Sequence, residues 1–353
     1  MRLKSVVSAR TSKTLPLLFL LLSASACKSA GSPPPARSAD DLLVDEGASA
    51  PGPKRTAPPA SSAVKAAEAL LAKGDAEGAR AQFEAALREN PSDARAALGL
   101  GLSHEALGNM AAAEKAYRQA IASDAGLAEA HNNLGLVLRD QGKDAEAIAA
   151  FQRAQALDPR LPSAAANLAL AYEDVGNAEE ADRAYRKAVS LAPKDAMLHA
   201  NYGLFLLARG DREAAVKVLR QGLKEASGDR AALLAIGNGM RRAGQPDEAV
   251  RALQGAIAAE NGKPTAALLY ELALAQNAAG DGAAAKKSLE HALALDEKSA
   301  SAHYLLGSVL AGDGDLRGAA EHYQRCLALE PRGELAARAK EKLDHIKQSQ
   351  KKN

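Results

Sequence analysis

Asparagine, tyrosine and histidine recur at fixed distances in this chain, and the distances limit the chemistry they can do. Asn133, Asn167 and Asn201 follow one another at 34 residues, with Asn132 beside the first. A side-chain amide donates and accepts hydrogen bonds together, so a row of amides suits holding a polypeptide backbone. Tyr270 and Tyr304 are also 34 residues apart and would offer a partner rigid, amphipathic rings. Asn238 and Arg241 extend the polar set between the two groups. His131, His199 and His303 share one phase of the same spacing. Whole repeats separate them, too far for one ion, and the ligand spacings of known metal sites are absent. No phosphate-cradling glycine loop and no nucleophile motif is present. The residues therefore point to binding rather than catalysis, with no cofactor and no metal.

The elements that must position these residues are announced by a glycine. Gly74, Gly108, Gly142, Gly176, Gly210, Gly244, Gly280 and Gly314 follow at 34-residue steps, with one step of 36 before Gly280. A fixed period of this size marks a stacked array of repeats. With the glycine at repeat position 15, position 20 is alanine in all eight repeats, and position 8 is Gly or Ala in all eight. Position 24 is Phe83, Tyr117, Phe151, Tyr185, Leu219, Leu253, Leu289 and Tyr323, and position 32 is Pro91, Pro159, Pro193 and Pro331 in four repeats. Each unit reads as two amphipathic helices, positions 1–14 and 17–30. The glycine ends the first where a positive φ is wanted, and proline stops the second. Small residues at 8 and 20 are expected to face each other.

Composition agrees. Hydrophobic residues make up 47% of the 353, aromatics 3%, and tryptophan is absent, which suits packed helices and is poor for strands. The formal charge is +2. Four basic residues lie within the first 13, so the remainder nets −2, and residues 332–353 carry seven basic and three acidic side chains. Basic excess at the two ends only is not the footprint of a nucleic-acid binder.

The period and its fixed small, aromatic and proline positions resemble the tetratricopeptide repeat family over residues 61–331. The resemblance implies an all-α, right-handed superhelical solenoid of about eight helix-turn-helix repeats. Residues 332–353 would add a capping helix from Glu334 to about Lys347 and a basic, frayed tail. It also implies that first-helix positions 2, 5, 6, 9, 12 and 13 face a concave groove that takes a peptide. Asn132, Asn133, Asn167, Asn201, Asn238, Arg241, Tyr270 and Tyr304 are then the groove candidates. Arg139, Arg241 and Arg242 with Glu105, Asp140, Glu173 and Asp174 would form a solvated, mixed-charge rim. The carboxylate clamp of chaperone-type members needs lysine at position 5, which no repeat has, so that activity is not transferred. Repeats five to seven lose the aromatic at 24, carry Gly222 and Gly239 inside helices, and hold the two-residue insertion near Asn261–Pro264. A looser joint is expected there.

The N-terminus reads as an address. Residues 1–26 combine four basic side chains, the apolar run LPLLFLLLSASA and small residues before Cys27, the pattern of a secretory signal peptide. The run is too short to span a bilayer, which takes about 20 residues. Ser-Ala-Ser-Ala-Cys resembles a bacterial lipobox, which implies lipidation of Cys27 and, with Lys28 following, an outer-membrane lipoprotein facing the periplasm. Ala24-Ser25-Ala26 also fits ordinary signal peptidase, which would release a soluble periplasmic protein. Residues 27–60 hold seven of the fifteen prolines and read as a tether reaching on the order of 30 Å. Cys326, at a position normally filled by alanine, reads as a small buried hydrophobe. The sequence thus predicts a lipid-anchored scaffold that assists an envelope complex such as a pilus secretin, motility or secretion machinery. An adaptor or spacer for cell-wall enzymes is the second possibility. The oligomeric state is left open.

Overall fold

The computed structural model describes residues 61–259 and 262–352, with side chains as far as Gln348. The leader, Cys27, the tether and Asn261 lie outside the described residues. What is described is helical throughout. The first helices of the eight repeats are α1 (Ser62–Ala72), α3 (Ala94–Ala106), α5 (Ala128–Asp140), α7 (Pro162–Asp174), α9 (Ala196–Ala208), α11 (Arg230–Arg242), α13 (Ala266–Ala278) and α15 (Ala300–Gly312). The second helices are α2 (Ala76–Glu89), α4 (Met110–Ser123), α6 (Asp144–Leu157), α8 (Ala178–Leu191), α10 (Arg212–Glu225), α12 (Pro246–Ala259), α14 (Gly282–Leu295) and α16 (Leu316–Leu329). A last helix, α17 (Glu334–Lys352), packs on α16.

Local chemistry sets the boundaries. Every ladder glycine has φ between +73° and +85°, and the residue after it returns its N–H to the carbonyl at position 11, as Lys143 does to Leu138. This six-to-one closure satisfies carbonyls that a helix end would otherwise leave bare. One residue past the glycine, Asp75, Asn177, Asp211, Asp281 and Asp315 cap the second helices. Ser61, Asp93, Asp195, Asp229, Thr265 and Ser299 do the same for first helices. Each such cap contributes about 1 kcal/mol.

Packing follows the repeat. Most first helices touch the first helix of the next repeat, while consecutive second helices lie farther apart, so the stack curves with its first helices inside. The side chain at position 24 lies directly over position 8 of its own repeat, closer than position 20 does. A Cβ at Gly101 would fall 2.3 Å from Tyr117, and one at Gly135 would fall 2.6 Å from Phe151. The backbone at position 20 comes next, with Ala319 O 3.2 Å from a Cβ at Gly307. Small residues at 8 therefore serve the ring at 24 first and the facing helix second.

Gly222 and Gly239 lie where helices come close, although α10 and α11 touch less than most successive helices do. A Cβ at Gly222 would meet His199 Cβ at 2.8 Å and Ile236 at 3.1 Å, and one at Gly239 would meet Leu219 at 3.0 Å. α9 and α11 come unusually close here, and glycine is what lets them. The C-terminal helix runs on to Lys352, past the expected end at about Lys347, since Gln-Ser-Gln-Lys-Lys contains no helix breaker. Ala339, Leu343 and Ile346 bury themselves against repeat eight. The outward positions Arg338, Lys340, Glu341 and Lys342 are exposed, the polar outer face an end cap requires.

Candidate protein-binding face

The inner face is built by the first helices, and its residues are tied to one another across repeats. Asn132 is the centre of the amide group. It is 6% exposed, donates from Nδ2 to Asn133 Oδ1 at 3.3 Å, and accepts from Asn167 Nδ2 at 2.9 Å. The amides of α5 and α7 are thereby joined, whereas Asn201, half-buried on α9, stands outside this network. The row expected to be three equal members is a bonded trio on two helices plus one separate amide.

Farther along, Asn238 on α11 has a buried Oδ1 with no hydrogen-bond partner. Arg241 reaches from α11 to Glu271 on α13, Nη2 to Oε2 at 3.5 Å, while its Nε is buried without a hydrogen bond. Burial pushes the Glu271 carboxyl above its usual range, and Arg241 only partly offsets it. Tyr270 and Tyr304 are both half-buried. Burial, then the neighbouring Glu271, raises the Tyr270 phenol. Tyr304 packs on Tyr323 of α16, ring centroids 5.7 Å apart and tilted by 53°. The tyrosines thus combine internal packing with partial exposure.

The charged rim is less free than its composition suggests. Glu105 and Glu173, at position 12, accept the hydroxyls of Tyr117 and Tyr185 at 2.9 and 2.7 Å. Arg139 bridges from α5 to Asp174 on α7 at 3.6 Å. These side chains hold helices to one another. The sequence carried the signal: in repeats two and four, glutamate at 12 accompanies tyrosine at 24, while repeat three has arginine with phenylalanine.

The position-4 histidines also have a structural task. His131, His199 and His303 each place Nε2 against the carbonyl at position 32 of the preceding repeat, those of Ala125, Pro193 and Glu297, at 3.2, 2.9 and 3.2 Å. Cys326 is fully buried and free, and burial raises its thiol above the ordinary value. One inner-face feature was not singled out from sequence. Leu102, Leu136, Leu170, Leu204 and Leu274 all occupy position 9 and all are half-buried. In repeats three to five this leucine lies one turn from the position-6 asparagine on the same face.

Family models described as tetratricopeptide repeat match residues 64–128, 234–285 and 270–334, 128–161, 162–195 and 196–221. Together they cover well over half of the chain, and the matches at 128–161 and 162–195 begin where α5 and α7 begin. The chain belongs to the tetratricopeptide repeat family. Tetratricopeptide arrays are in general protein-interaction scaffolds that bind protein partners. Among solved structures, the APC/C hetero-tetramer Cut9-Hcn1 is similar with a TM-score of 0.51 at 18% identity, over 81% of this chain and 57% of that one. At that identity the likeness is one of fold. Yeast Tom70 (TM-score 0.48, 17% identity, 78% of this chain and 60% of that) and MamA (0.42, 28%, 45% and 93%) are also similar. No curated protein matches the tetratricopeptide chain significantly.

Proposed function

We propose that this chain is a non-catalytic scaffold of the bacterial envelope, exported and held at a membrane by lipid on Cys27. Its array recruits a protein component of an envelope assembly, of the pilus-secretin, motility or secretion kind. The observation that carries the reading is the inner face. Half-buried leucines at position 9 run beside asparagines at position 6 through α5, α7 and α9. Such a face offers apolar contact and backbone-directed amides side by side, what an inserted peptide segment needs. Among the described residues no helix is long and apolar enough to cross a membrane, so membrane attachment rests on the leader and Cys27.

Two experiments test the two halves. Metabolic labelling with a palmitate analogue should mark the native protein and fail on Cys27→Ser; equal labelling of both removes the anchor. Crosslinked recovery of partners should change when Asn133, Asn167 and Asn201 are replaced by alanine. If the same partners return in the same amounts, the asparagine face is not the binding site.

A further inference from the structure

Position 23 of the repeat is small or apolar in most units: Ala116, Ala150, Ala184, Val218, Ala252 and Ser288 in repeats two to seven. In repeat eight it is His322, and the residue it meets is His303 of the preceding helix. The two Nδ1 atoms are 2.9 Å apart and the ring centroids 5.1 Å. His303 is buried and His322 half-buried, so a titratable pair occupies ground that the other repeats give to packing.

The tautomer of His303 is fixed by its surroundings. A carbonyl only accepts, so Nε2 facing Glu297 O at 3.2 Å must carry the hydrogen, and Nδ1 presents a lone pair toward His322. An outward N–H held by a carbonyl is the second contact that metal-ligating imidazoles characteristically make. Two metal–nitrogen bonds of about 2.0–2.1 Å spanning a 2.9 Å gap enclose an angle of about 90°. That is the angle of adjacent positions in a square or octahedral shell, narrower than a tetrahedral site wants, and tetragonal nitrogen–oxygen sites favour Cu(II) or Ni(II).

We propose that His303 and His322 form a two-imidazole site for a divalent ion of the nickel–copper type, pinning α15 to α16 in the last repeat. Among the described residues no group of three or more His, Cys, Asp or Glu is placed to hold a metal ion, so the proposed site has two side-chain ligands and needs water for the remaining positions. Binding needs the His322 proton on Nε2, leaving both Nδ1 lone pairs to the metal; the shift is between tautomers and releases no net proton. Both imidazoles are held below their ordinary values, chiefly by burial, which keeps them neutral and ready as ligands at pH 7. Arg325 acts on His303 in the same direction, while Glu290, Asp315 and Glu321 act oppositely on His322.

The test is calorimetric titration of the full chain with Ni²⁺, using Cys27→Ser throughout so that this thiol does not compete. One equivalent should bind and raise the unfolding temperature by linkage. Loss of even an outer-shell partner weakens metal sites by about 10–100-fold, so His322→Ala and His303→Leu should each weaken binding at least that much. Both variants install residues that other repeats carry at the same positions, Ala150 and Leu233 among them, so the fold has precedent for each. In repeat three, Ala150→His opposite His131 should create a second equivalent. Lowering the pH well below the ordinary imidazole range should weaken binding as protons compete for the lone pairs. Affinity unchanged in both loss variants, or no Ni²⁺ binding to the parent chain, overturns the proposal and leaves a plain imidazole–imidazole hydrogen bond.

Discussion

Tyr185 and Glu173 show how a single hydroxyl is accounted for in this array. The phenol is pushed well above its ordinary value, first by burial and then by the carboxylate it bonds, so it stays a donor at any physiological pH. Tyr185→Phe should lower unfolding stability by about 1 kcal/mol. Adding Glu173→Ala to that variant should change little, because the interaction has already gone; a double-mutant cycle in urea reads the coupling. His131, His303 and His322 are all held below their ordinary values mainly by burial. A depressed imidazole favours the neutral form in the folded state. Its contribution is complete above the unfolded value of about 6.5 and is lost as pH falls below it. The melting temperature by circular dichroism should therefore drop between pH 7.5 and pH 5, and drop less in His322→Ala. These partnerships were only partly legible in the sequence. Asn133 and Asn167 were visible by spacing, but the buried centre of their network, Asn132, looks like a neighbour until the helix is turned. Glu105 and Glu173 read as rim charges because their pairing with a tyrosine twelve residues on shows only when repeats are compared at positions 12 and 24 together.

At the level of the helix, glycine has two distinct uses that composition does not separate. Gly142 lies at φ +73° with open space around it, whereas Gly222 lies inside α10 with His199 Cβ and Ala196 O close by. Gly255, in α12, has only the flexible Leu233 side chain at 3.4 Å. The expected signs follow. Gly255→Ala should stabilise by up to about 1 kcal/mol, since alanine favours a helix where there is room. Gly222→Ala should destabilise by about 1–3 kcal/mol through overpacking against a Cβ and a carbonyl that have little freedom. Thermal or urea unfolding of the pair decides it; equal shifts would mean that α10 is not closely held. Helix number and order were legible because turn glycine and proline are local signals. The close approach of α9 to α11 was not, since a helix-weakening glycine and a contact-permitting glycine are the same letter.

Across the whole array, the apolar core runs in successive stretches, the last of which joins α15 and α16 to α17 through Ala339, Leu343 and Ile346. Ending the chain after Pro331 should expose that surface. Hydrogen exchange should then show repeat eight opening first, with repeats one to four nearly unaffected, because each unit leans only on its neighbours. Uniform loss of protection would mean that the stack folds as one block. The position-9 leucines, read from sequence only as part of a face, gain meaning at this scale, where a line of half-buried side chains along consecutive first helices becomes a surface.

Glu334, where α17 begins, lies 34 residues after Ala300, where α15 begins, so the terminal cap keeps step with the units before it. It takes the place of the next first helix, packed on α16 as α5 packs on α4 and α7 on α6. The chain should therefore accept whole 34-residue cassettes, inserted after Leu161 for example, without refitting its ends. Its reach would then be set in discrete increments, like a ruler graduated in one unit, and small-angle scattering of a nine-unit variant would read the added length directly.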